Sequence, residues 1–77
     1  MKDKNLVLQE TDKIKLALYI YDYDFDDVVN SFTLSDLKLM YTRVYGYSCR
    51  SNMKKPDVVN SIRNYARSIK RAEAFNR

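Results

Sequence analysis

The sequence predicts an all-α fold, a small bundle of three to four helices containing a helix–extended loop–helix unit. Three observations lead there. The 77 residues include one Gly and one Pro, so turn chemistry is scarce and most of the chain is free to run as helix. Apolar residues recur at helical spacing in several separate stretches. Three of those stretches open on helix start signals, Thr11-Asp12, Thr33-Leu34-Ser35-Asp36 and Pro56-Asp57.

Residues 1–9 read as a flexible N-terminal arm, and residues 10–77 as a single small helical domain. Residues 11–21 fit two patterns. Ile14, Leu16, Leu18 and Ile20 alternate as in a strand. Ile14, Ala17, Leu18 and Tyr21 also form a helical face behind the start signal Thr11-Asp12. Helix is preferred, because no clear partner strand follows. Next, Phe25, Val28, Val29 and Phe32 fall at i, i+3, i+4 and i+7, one helical stripe. Asp24, Asp26 and Asp27 sit at its electropositive start.

The following helix is the best defined. Thr33 and Asp36 fit a capping box, and Phe32 with Leu37 fits a hydrophobic staple. Leu34, Leu37, Met40 or Tyr41, and Val44 continue the buried face. Gly46 is placed to end this helix in the left-handed conformation. Residues 47–55 then read as an extended loop, with Lys55 held out of helical geometry by the proline after it. Pro56 suits a first helical position and Asp57 a first turn. Val58, Val59, Ile62, Ala66 and Ile69 make the inner stripe of a helix running to about residue 74, with Tyr65 on its edge and Arg63, Arg67, Lys70 and Arg71 outside.

Composition narrows the chemistry. A chain this short buries only about 60% of its unfolded surface, which leaves little room for an enclosed active site. There is no His, and Cys49 is alone, so a Cys–His pair, an internal disulfide and a zinc site of these ligands are excluded. Cys49 lies beside Arg50, which favours thiolate, but no base or second thiol accompanies it, and it reads as a loop anchor. Asp22, Asp24 and Asp26 start like a calcium loop. Asp27 stands where that loop needs Gly, and Thr33 where it needs Glu. No nucleophile–base pair or glycine-rich phosphate loop is visible, so no enzyme, no cofactor and no metal is expected. The longest apolar run, residues 16–21, is far short of the roughly 20 residues of a membrane span. No signal peptide is visible either, and a cytoplasmic protein is the simple expectation.

Charge is the informative quantity. Residues 1–36 carry 4 basic and 8 acidic groups, net −4, whereas residues 37–77 carry 10 basic and 2 acidic groups, net +8. A basic surface on the C-terminal half follows, with nucleic acid as the natural counterpart. Lys54 and Lys55 stand just before the last helix start, where the first helical amides also bind phosphate. Arg50, Arg63 and Arg67 extend that patch along a backbone. Asp57 opposes it, unless it pairs with the lysines or caps the helix. Of the seven tyrosines, most read as core-completing residues with a wet hydroxyl, while Tyr45 or Tyr47 is placed to stack on a base or touch a phosphate.

Residues 32–66 resemble the helix–extended loop–helix of SAP-type domains, and more closely the SAP-like segment near the N-terminus of transcription termination factor Rho. The resemblance rests on Leu34, Asp36, Leu37 and Lys38, and then on Met53, Lys54, Lys55, Asp57, Val58, Val59 and Ile62. The tyrosine-rich connection is longer than usual, and residues 1–31 have no counterpart in the SAP core. What the resemblance implies is a non-catalytic nucleic-acid-binding module, for DNA more than RNA. The set expected to carry it is Lys54, Lys55, Arg50, Arg63, Arg67 and Tyr47. Two other readings stay open. One is a protein-interaction module or regulator using the acidic, aromatic segment 19–27, with Asp24, Asp26 and Asp27 meeting a basic partner. The other is a helix-turn-helix over residues 24–45, for which Lys38, Thr42 and Arg43 are the outward candidates.

Overall fold

The computed structural model describes residues 4–75 and contains five helices among them: α1 Lys4–Gln9, α2 Lys13–Asp22, α3 Phe25–Ser31, α4 Leu34–Tyr45 and α5 Lys55–Phe75. No described residue is in a strand, so the all-α expectation holds. None of these helices is long and apolar enough to cross a membrane.

The starts follow local chemistry. Asp12 caps α2, its carboxylate accepting from the amides of Ile14 at 2.9 Å and Lys15 at 3.1 Å. The capping box on α4 is complete: the Asp36 amide donates to the Thr33 hydroxyl at 3.1 Å and the Thr33 amide to the Asp36 carboxylate at 3.3 Å. Phe32 and Leu37, the staple pair, are both buried. At the other end, Gly46 takes φ of 81° and its amide donates to the Thr42 carbonyl at 2.8 Å. α5 begins at Lys55, one residue ahead of the expected Pro56.

α5 is the spine. Val58, Val59, Ile62 and Ala66 have no exposed surface, and α2, α3 and α4 all pack on this helix. From α2 come Leu16, Ala17 and Ile20, from α3 Val28, and from α4 Leu37, Met40, Tyr41 and Val44. Among the described residues beyond Ala66, Ile69 is half-buried, and Arg67, Lys70 and Arg71 stand in solvent.

Two expectations need correction. Residues 4–9 are not a loose arm but α1, with Val7 fully buried and Leu8 half-buried against the core. The Arg43 guanidinium fastens its end by donating to the carbonyls of Leu8 and Glu10. The folded unit therefore includes residues 4–9, because one valine finds a place in the core; residues 1–3 of the expected arm lie outside the described residues. The second concerns the face of α2. The buried residues are Leu16, Ala17 and Ile20, whereas Ile14 is 44% exposed. This helix is apolar almost all round, so periodicity leaves the inner face open and packing on α5 and α4 chooses it.

Gly46 gives a clean test of the α4 terminus. A Cβ built there meets nothing within 4 Å, so only backbone strain opposes a side chain. Gly46→Ala is expected to cost about 1 kcal/mol from the left-handed conformation alone. Thermal unfolding should register it as a fall in midpoint of roughly 4–8 °C.

Candidate nucleic-acid interface

The loop between α4 and α5 is pinned at two points. Cys49 and Met53 are half-buried against the core, and the Met53 amide donates to the Arg50 carbonyl at 3.1 Å, closing a turn. Arg50, Ser51 and Asn52 are thereby turned outward and are exposed. Tyr47, just after the left-handed Gly46, is 60% exposed. Its ring centroid lies 5.9 Å from that of Tyr41, edge-on, and 5.8 Å from that of Tyr45. The cluster is anchored to α5, where the Tyr45 hydroxyl donates to the Ser61 carbonyl at 2.5 Å and its ring meets Tyr65 edge-on at 5.5 Å.

These residues border an open cleft of about 510 Å³. Tyr41 and Tyr47 contribute aromatic wall, Arg50 and Asn52 come from the turn, and Asp57 and Ser61 come from α5. Asp57 uses one carboxylate oxygen to accept the Lys54 amide at 3.2 Å. It is thus a cap on α5, and the helix start that was expected to bind phosphate already carries its own anion. Lys54 itself is exposed, between the cleft residues Met53 and Asp57 in the chain.

The six expected site residues do not form one patch. Tyr47 and Arg50 share the cleft, and Lys54 adjoins it in sequence. Lys55 is turned inward: it is half-buried, and its ammonium donates to the Val29 carbonyl at 3.3 Å, tying α3 to α5. Arg63 is half-buried on the α2 side. It donates to the carbonyls of Tyr23 at 2.9 Å and Tyr21 at 3.4 Å, and its guanidinium lies 5.2 Å from the Tyr21 ring centroid. Lys70, seven residues further along α5, sits 5.1 Å from the same ring. Arg67 is exposed and donates to Asn64 at 3.4 Å. At 100° per residue, the Arg63–Lys70 side of α5 is opposite in sense to the Asp57–Ser61 side that borders the cleft. Charge alone does not carry that distinction. Asp57 and Ser61, spaced i and i+4, were the available signal for it.

The other candidates also find places. Asp24 and Asp26 are exposed, while Asp27 accepts a bond from the Ser31 hydroxyl at 3.2 Å. Among the described residues no three carboxylates or thiols gather into a group able to hold a metal. On the helix-turn-helix reading, Arg43 is spent on the carbonyls of Leu8 and Glu10 at the end of α1, and the Thr42 hydroxyl donates back to Lys38 O at 3.0 Å. No protein-family model, curated protein or solved structure matches the chain.

Two of the tyrosines hold their protons more tightly than usual. Hydrogen bonding to Tyr47, followed by burial, raises the Tyr41 hydroxyl; burial, followed by the phenols of Tyr47 and Tyr65, raises Tyr45. A raised value in the folded state means that stability is complete below the ordinary tyrosine value, near 10, and is lost as pH climbs through the folded values. The urea midpoint should therefore fall above about pH 10, and Tyr45→Phe should flatten part of that fall. The two arginines separate by the same kind of measurement at neutral pH. Arg63→Ala should lose about 1–3 kcal/mol, because charged bonds to two carbonyls go. Arg50→Ala should stay within about 0.5 kcal/mol of the parent chain.

Proposed function

We propose that this chain is a non-catalytic nucleic-acid-binding module that takes DNA by its backbone at the α4–α5 loop. The observation that carries the reading is the pairing of an exposed aromatic ring, Tyr47, with an exposed guanidinium, Arg50, across one open cleft. An aromatic face and an adjacent cation are the two groups that stack on bases and neutralise phosphates. Lys54, exposed and next in the chain to the cleft residue Met53, supplies a second charge. The net +8 of residues 37–77 supplies a long-range attraction for a polyanion. The resemblance of residues 32–66 to SAP-type domains favours DNA over RNA. Arg63 and Lys55 are left out of the contact set, because their donors are committed to carbonyls of α2, α3 and the turn between them. Arg67, with Lys70 and Arg71, is exposed further along α5 and adds to the general field.

The test compares the parent chain with Arg50→Glu/Lys54→Glu, by fluorescence anisotropy on labelled random DNA and single-stranded RNA over about 50–200 mM salt. The parent is expected to bind DNA with a linear fall of log affinity against log salt. The double variant should bind more weakly and lose about 2 from that slope, one for each phosphate contact removed. A folded double variant with unchanged affinity and slope would remove the loop from the interface.

A further inference from the structure

The cleft has chemistry that backbone contact does not use. Phosphate neutralisation needs cations, yet most of the lining is aromatic or uncharged polar, and one member is an anion. Tyr47 offers an exposed ring that is held in place: it makes a T-shaped contact with Tyr41, Tyr45 packs beside it, and Tyr45 is itself bonded to α5. In duplex DNA the flat faces of the bases are stacked on one another, so a fixed protein ring has nothing to stack on; an unpaired base exposes its face. The volume of about 510 Å³ falls in the range of small-ligand sites, roughly 300–1,000 Å³.

The polar groups select further. Asp57 spends one oxygen on the Lys54 amide, and its second oxygen has no hydrogen bond within the described residues. A carboxylate only accepts, so it favours a base edge that carries an amino group and disfavours one that presents carbonyls. Adenine, cytosine and guanine carry an exocyclic amino group; thymine turns two carbonyls outward around a single N–H.

We infer that the cleft bordered by Tyr47, Arg50, Asn52 and Asp57 takes one unpaired, amino-bearing base of a single strand, stacked on Tyr47 and donating to Asp57. This rests on the nucleic-acid reading above and adds to it the strand state and the class of base.

The experiment measures anisotropy at low salt with labelled oligo-dC, oligo-dA and oligo-dT of equal length, and with a duplex of that length. The proteins are the parent chain, Tyr47→Ala, Tyr47→Phe and Asp57→Asn, each checked for helicity. The single strands should bind more tightly than the duplex, with oligo-dC and oligo-dA ahead of oligo-dT. Tyr47→Ala should weaken single-strand binding roughly 5- to 150-fold, the loss of one stacked base, and Tyr47→Phe should restore it. Asp57→Asn should erase the preference over oligo-dT; should that variant not fold, the base ranking of the parent and the Tyr47 pair decide alone. Equal binding of duplex and single strands, or a Tyr47→Ala chain that binds like its parent, overturns this inference and leaves standing only backbone binding through Arg50 and Lys54. A parent chain that binds none of the four overturns both.

Discussion

The apolar stripe of α5 is the constraint on which everything else depends. Val58, Val59, Ile62 and Ala66 are fully buried, and three of the other four helices lie against this helix. Burying a Val or Ile side chain is worth about 1.5–3 kcal/mol. A domain of this length is stable by only about 4–12 kcal/mol in total. The stripe therefore sets the rotation of α5, and that rotation decides what each flank of the helix does. One flank turns Arg63 and Lys70 onto Tyr21. The other presents Asp57 and Ser61 to the loop.

Seen this way, the basic residues divide by role. Arg63, Lys55 and Arg43 are cations whose hydrogens close helix ends: Arg63 on the end of α2, Lys55 on the end of α3 and Arg43 on the end of α1. Each satisfies carbonyls that a helix terminus leaves without partners. With a single glycine in the chain, α4 is the one helix among the described residues that ends in the left-handed conformation, and the cations take over part of the capping elsewhere. The positive charge of the C-terminal half is thus partly structural. What remains for a ligand is the smaller group held outward by the loop.

Much of this was legible in the sequence because the signals were local. The capping box at Thr33, the left-handed Gly46 and the stripe of α5 all depend on residues within a few positions of one another, and all stand as read except Ile69, which is half-buried. The misses came from tertiary choices. Val7 lies in a stretch too short to show periodicity, yet it is buried. α2 is apolar on several sides, so only its neighbours decide that Leu16 goes in and Ile14 stays out. For the site, the sequence pooled Lys54, Lys55, Arg50, Arg63 and Arg67 by charge. The structure separates them by helix rotation and by which carbonyls lie within reach.

The most direct test of this division is residue-resolved. Amide shifts of nitrogen-labelled protein, followed by NMR during titration with a short single-stranded DNA, report where the ligand sits. Shifts concentrated at Tyr47, Ser48, Arg50, Asn52, Lys54 and Asp57, with Tyr21, Arg63 and Lys70 unmoved, are the expected result. Shifts centred on Tyr21, Arg63 and Lys70 would contradict the account, because the cations assigned to helix ends would then be the ones that meet the ligand.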